Sequence, residues 1–207
     1  MAAEKLTPER RRQMTRDALI AAAGELFAKK GFNGSSMEEI ATEAGFTRGA
    51  IYSNFGNKED LLIAVMDRFF ERMVDEYREV AIDDPVASAE AAAKVFRREN
   101  SHEMLPLELE LRLNALRNPE MRKRLADLDR RQSENVARFI EEQIAKSGVK
   151  FKVPVRDIGD IGNAAVIGLL EKAAVAEGEE AERYENLVET FFLGMATGML
   201  VSEEPLS

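Results

Sequence analysis

Two places in this 207-residue chain combine residue types that could do chemistry. The first is the run Thr47-Arg48-Gly49-Ala50-Ile51-Tyr52-Ser53-Asn54. Gly49 and Ala50 present backbone and little side chain, which suits a short helix entering a DNA major groove. The amides at such a helix start also attract a phosphate oxygen. A glycine inside a helix costs about 1 kcal/mol against alanine, so a close-approach role accounts for Gly49. The second place is His102, the one histidine of the chain. Histidine catalysis needs a nucleophile or an orienting partner, and no Ser motif or second His accompanies it. The acidic pair Asp83-Asp84 reads more simply as a helix cap than as an acid–base couple. With no Cys, disulfide scaffolds and thiolate metal sites are excluded, and one His excludes two-histidine zinc chemistry. Neither metal, cofactor nor enzymatic activity is expected.

Charge argues at first in the opposite direction, because a net −9 counts against a nucleic-acid partner. Its distribution reverses that. Residues 1–60 carry nine basic and nine acidic groups, so residues 61–207 account for the entire imbalance. Lys5, Arg10, Arg11, Arg12 and Arg16 face only Glu4 and Glu9 at the leading edge, a local +3. That arm either reaches DNA backbone or is merely solvated. The apolar run Ala164–Leu170, interrupted by Gly168, is far too short for a membrane helix, and the charged N-terminus carries no secretory pattern. A cytoplasmic, membrane-free protein is expected.

The elements that must position these residues are helices. Thr7-Pro8-Glu9 supplies an N-cap, a first-turn proline and an acidic first turn; Leu19, Ile20, Ala23, Leu26 and Phe27 form one face, and Lys29-Lys30-Gly31 ends the helix. Ser36 and Glu39 form a capping box for a helix that turns Met37, Ile40 and Ala41 inward and stops at Gly45. Thr47 caps a third short helix reaching Tyr52 or Ser53, with Ile51 and Phe55 inward. Two short helices joined by Ala44-Gly45-Phe46 have the form of a helix-turn-helix. Asn57 caps a fourth helix, with the stripe Leu61, Leu62, Val65, Phe69 and Met73. Asp84-Pro85 and Asn118-Pro119 each begin another, the second running to Ser147-Gly148; two more follow Pro154, about 156–177 and about 180–202. Leu105–Leu113 alternates Leu with polar residues like a strand, yet Leu, Glu and Arg favour helix and Glu108–Arg112 makes a good i,i+4 pair. It reads as a helix buried around much of its girth. The fold class is all-α, divided into a head, 1–56, and a helical body, 57–207.

A more specific signal runs through the head. Thr15-Arg16, Ile20-Ala21-Ala22-Ala23, Leu26-Phe27, Gly31-Phe32, Ser36-Met37, Ile40-Ala41, Ala44-Gly45, Gly49-Ala50-Ile51-Tyr52, Phe55 and Lys58-Glu59-Asp60-Leu61-Leu62 keep one register over about 48 residues. This stretch resembles the DNA-binding head of the tetracycline-repressor (TetR) family. It covers under a quarter of the chain, and Leu116–Arg122 is similar to a stretch in many actinobacterial members. The resemblance implies a three-helix helix-turn-helix head and an effector-binding, dimerising body. It implies a homodimer on double-stranded DNA with a palindromic operator. By position, Thr47, Arg48, Gly49 and Ala50 fall on the recognition helix, with Arg48 placed to read a guanine. Ser35, Ser36, Tyr52, Ser53 and Lys58 match backbone-contacting positions. Ser53 and Asn54 depart from the family's usual His or Tyr, which removes aromatic packing against the sugar.

The same resemblance places a small-molecule pocket in the body, for which Phe96, His102, Leu109, Leu113, Phe139 and Phe192 are the expected lining. It makes the last two helices the dimer-forming pair, through Gly162, Ala165, Gly168, Leu169, Phe191, Gly194 and Gly198, where small residues allow close approach. Packing within one chain is the alternative use of that seam. The function this implies is a ligand-responsive transcriptional regulator, most simply a repressor released by a mostly apolar effector. The alternatives are an enzyme, or a protein-interaction module, using the helical body with a vestigial head.

Overall fold

A computed structural model describes residues 7–81, 84–100, 104–147 and 153–197. Among these residues there are nine helices and no strand: α1 (Pro8–Lys30), α2 (Met37–Glu43), α3 (Arg48–Asn54), α4 (Lys58–Val80), α5 (Pro85–Asn100), α6 (Met104–Arg117), α7 (Pro119–Ser147), α8 (Val155–Val175) and α9 (Glu179–Thr197). His102, Gly198 and Lys5 lie outside the described residues.

The helix starts follow the capping chemistry in the sequence. Thr7 Oγ1 accepts from the Arg10 amide at 3.2 Å, and Asn57 Oδ1 accepts from Asp60 N at 2.7 Å. Asp84 Oδ1 accepts from Val86 N at 2.9 Å, and Asn118 Oδ1 from Glu120 N at 3.0 Å. Each satisfies an amide that the first turn leaves without an intrahelical partner.

The chain forms two compact units. One comprises the residues up to Arg68 together with Pro106–Leu125; the other comprises Phe69–Leu105 and the residues from Ala126 onward. The first unit is built on Leu19, Ala23, Phe27, Ile40, Ile51, Leu61, Leu62, Leu107 and Leu111, all essentially inaccessible to solvent. Phe27 and Phe32 stack at 5.5 Å between centroids, tilted by 56°. Arg68 pairs with Asp17 and Arg124 with Asp60, tying α4 to α1 and to the start of α7. The second unit centres on Met73, Tyr77, Val95, Phe96, Leu105, Val166, Leu170 and Val188.

The leucine run settles as helix α6, and only part of it is buried. Leu107, Leu111 and Ala115 share one face and are buried, whereas Leu109 and Leu113 are 37% and 49% exposed. A 3.6-residue period turns alternate leucines to opposite sides, so a run that looks uniformly apolar cannot be buried all round. Glu108 accepts from Arg112 at 2.8 and 3.0 Å, as its i,i+4 spacing predicts. Leu111→Ala should cost about 2–5 kcal/mol of stability and Leu113→Ala under about 0.5 kcal/mol, read as urea unfolding midpoints. Equal losses would contradict the facing of α6.

Candidate nucleic-acid interface

The turn between α2 and α3 is set by the backbone. Gly45 takes φ 75°, Phe46 N donates to Ala41 O at 2.8 Å and Gly45 N to Thr42 O at 3.0 Å. That pair of bonds is a Schellman ending, which needs a left-handed residue at Gly45. On the other side of α2, Ser36 Oγ accepts from Glu39 N at 3.2 Å while Ser36 N donates to Glu39 Oε2 at 3.1 Å. Lys30 donates to the second oxygen of Glu39 at 3.0 Å. The Lys30 hydrogen bond, then those that the Ser36 amide and hydroxyl donate to it at 3.1 and 3.2 Å, hold the Glu39 carboxyl below the usual glutamate value.

Helix α3 buries Ile51 and is followed by buried Phe55, which turns Arg48, Gly49, Tyr52 and Ser53 to solvent as one face. Thr47 Oγ1 accepts from Ala50 N at 3.2 Å, so that amide serves the cap and is not free for a phosphate. A Cβ placed on Gly49 would meet only Thr47 Oγ1, at an ordinary 3.8 Å. Nothing among the described residues therefore requires glycine there, and the helix tolerates its cost of about 1 kcal/mol without a packing reason among them.

Glu38 organises this face. Its Oε1 accepts from the Tyr52 hydroxyl at 3.3 Å and forms an ion pair with Arg48, 3.0 Å from Nε. The Arg48 guanidinium also lies 5.6 Å from the Tyr52 ring centroid. Sequence reasoning missed Glu38, because a contact across two helices has no local spacing to betray it.

Other residues hold α3 in place. Arg16 donates to Asn54 O at 3.1 Å and stacks 4.2 Å over the Phe55 ring, fixing the end of α3 to α1. Ser53 Oγ and Asn54 Nδ2 both donate to Ala50 O at 2.8 Å. Ser35 corrects an expectation: it is buried, and its hydroxyl turns inward to Gly31 O at 2.9 Å and Leu26 O at 3.3 Å, so it cannot meet a phosphate. The Lys58 ammonium donates to Phe32 O at 2.8 Å and Ser35 O at 2.9 Å and sits 4.4 Å above the Phe32 ring. Two of its three donors thus tie α4 to the α1–α2 loop.

In the second unit the structure brings together three of the expected pocket residues. Phe96 meets Phe192 at 6.1 Å, and Tyr77, absent from the expectation, meets Phe192 at 6.4 Å and Phe139 at 6.2 Å. Leu109 and Leu113 lie on α6 and are exposed. The small residues of α8 have uses within the chain: a Cβ on Gly162 would lie 3.5 Å from Phe191, and one on Gly159 would lie 3.1 Å from Val136. Leu169 and Phe191 pack against the core, Ala165 and Gly194 are half-buried, and Gly168 has open space beside it.

Residues 19–65 match the family described as bacterial regulatory proteins, tetR family. The chain is 42% identical over 67 residues to the fatty acid metabolism regulator protein of Bacillus subtilis, covering 30% of this chain and 34% of that protein. It is 44% identical over 54 residues to the HTH-type transcriptional repressor BepR of Brucella suis, covering 26% of each. The chain thus spans about a third or less of the length of these curated relatives. A TetR transcription regulator from Haloarcula marismortui superposes with a TM-score of 0.65 at 18% identity, covering 92% of this chain and 100% of that one. At that identity the likeness is one of fold.

Two outcomes follow from this geometry. Lys58→Ala should lower stability by about 1–3 kcal/mol by leaving two carbonyls without their cation, whereas exposed Lys29→Ala should cost under about 0.5 kcal/mol in the same urea titration. The Glu39 carboxyl, lowered in the folded chain, contributes stability that is complete above the unfolded glutamate value and is lost as pH falls through the folded one. The stability gap between the parent chain and Glu39→Gln should therefore be present at neutral pH and close on acidification. A gap independent of pH contradicts it.

Proposed function

We propose, for a chain whose residues 19–65 belong to the tetR family of bacterial regulatory proteins, that it is a dimeric DNA-binding transcriptional regulator. In this reading it is a repressor that leaves a palindromic operator when a small, mostly apolar effector enters the body. The observation that carries it is the exposed face of α3, where Arg48, Tyr52 and Ser53 surround a glycine that no packing among the described residues requires. The terminal nitrogens of Arg48 engage guanine O6 and N7, with the Glu38 carboxylate paired beside Nε. Gly49 and Ala50 let the helix approach the groove, and Thr47, Ser36, Tyr52 and Ser53 contact the backbone. Lys58 acts mainly by holding the α1–α2 loop, with one donor left for a phosphate.

A homodimer presents two such helices to successive major-groove faces, which demands a two-fold operator. Helices α8 and α9, with Gly168, Ala165 and Gly194 on them, form its interface. Residues 1–56 are the DNA-binding division and 57–207 the regulatory one. The excess acid of residues 61–207 repels DNA and orients encounter head-first, keeping non-specific affinity low. Effector binding releases the operator when it favours the non-binding geometry by a few kcal/mol. The protein is not an enzyme and works in the cytoplasm, where its DNA is. The names of its relatives, a regulator of fatty acid metabolism and a repressor, support the same reading.

Operator sites selected from random duplexes, or found by gel shift on DNA flanking the gene, test this. Arg48→Ala should cost about 1–3 kcal/mol at one base pair of each half-site and relax preference there, with little effect elsewhere. Unchanged discrimination would show that Arg48 does not read a base.

A further inference from the structure

The hydroxyl of Tyr77 is buried and has no hydrogen-bond partner among the described residues. Tyr77 is 8% exposed, so water is not a ready substitute. An unpaired buried hydroxyl is a cost that phenylalanine would avoid, and native structures carry few of them without a reason. Its setting is aromatic: the Phe139 and Phe192 ring centroids lie 6.2 and 6.4 Å from that of Tyr77, and Phe96 meets Phe192 at 6.1 Å with the rings tilted. Phe70, Phe139 and Phe192 are only partly buried although they pack on a core of buried residues, so their surfaces are not used up by the fold. Burial, and next the neighbouring Glu76 carboxylate, hold the phenol well above its usual pKa, so it keeps its proton and acts as a donor. Two cations of the same unit are already paired: Arg97 with Glu189 at 3.3 Å, and Arg78 with Asp75 and Glu142. An anionic ligand would find no spare charge in either.

We propose that the Tyr77 hydroxyl is the polar anchor of a ligand site in the second unit. The ligand is a neutral, largely aromatic molecule with one hydrogen-bond acceptor, lying against Phe139 and Phe192. Naming this ligand the effector rests on the regulator reading; its binding does not. The aromatic rings supply affinity through apolar burial, and the single hydroxyl selects among molecules of one shape. A partner for the hydroxyl removes the penalty that the unpaired group carries, so the gain appears only on binding.

Benzophenone and diphenylmethane make a matched pair of probes, nearly alike in shape and differing in one carbonyl acceptor. Binding of each to the full-length protein is measured by calorimetry or ligand-observed NMR. The parent chain should prefer benzophenone by about threefold to tenfold, and Tyr77→Phe should bring the ratio close to one while diphenylmethane binding stays. Without ligand, Tyr77→Phe should melt no lower than the parent, because the lost hydroxyl bonded nothing. The proposal is overturned by equal binding of the two probes to the parent chain, by binding of neither, by a ratio that survives the substitution, or by a substantial drop in melting temperature. Gel shift of the parent chain on operator DNA separates the two claims. Operator binding without any probe preference removes the anchor and leaves the regulator. Probe preference in a chain that binds no DNA removes the regulator and leaves the site.

Discussion

A helix of seven residues does not hold together in water on its own, since its few hydrogen bonds do not offset the cost of nucleating it. The interface proposed here therefore depends on the burial of Ile51 and Phe55 in the first unit. Burying such side chains contributes about 1.5–3 kcal/mol each, more than any single polar contact on the opposite face. Once those two residues are seated, Arg48, Gly49, Tyr52 and Ser53 have nowhere to face but solvent. Arg16 over Phe55 and Lys58 over Phe32 close the same core from its edges, joining a cation to an aromatic face and to backbone carbonyls.

Polar groups in the head divide by whether they are already satisfied. Ser35, Ser36, Thr47 and Lys58 all look available in a linear sequence, yet each has hydrogen bonds to groups of its own chain. Arg48 differs. Its pairing with Glu38 is exposed, with the arginine side chain 74% accessible, so the pair costs little to rearrange and adds little stability. An exposed arginine whose pairing within the chain costs little to rearrange can turn its fork to a base edge.

The second unit shows the complementary economy of shape. Gly159 and Gly162 sit against Val136 and Phe191 of the same chain, which explains small residues that could otherwise be assigned wholly to a partner. The aromatic rings around Tyr77 pack at tilted angles and leave a hydroxyl without an acceptor. A core selected only for stability would place phenylalanine there.

Helix existence, helix starts and the identity of the short third helix were legible in the sequence, because caps, prolines and apolar periodicity act within a few residues. Thr7, Ser36, Thr47, Asn57, Asp84 and Asn118 all cap as their local spacing predicts. The register of head motifs likewise located the α2–α3 unit. Facing and pairing were not legible in the same way. That Leu111 is buried and Leu113 exposed, that Ser35 turns inward, that Lys58 is tied to a loop 23 residues away in sequence, and that Glu38 supports Arg48 all depend on neighbours distant along the chain. Local sequence determines which segments coil; only tertiary packing decides which atoms are left over for another molecule, because satisfaction of a polar group is a property of everything that surrounds it.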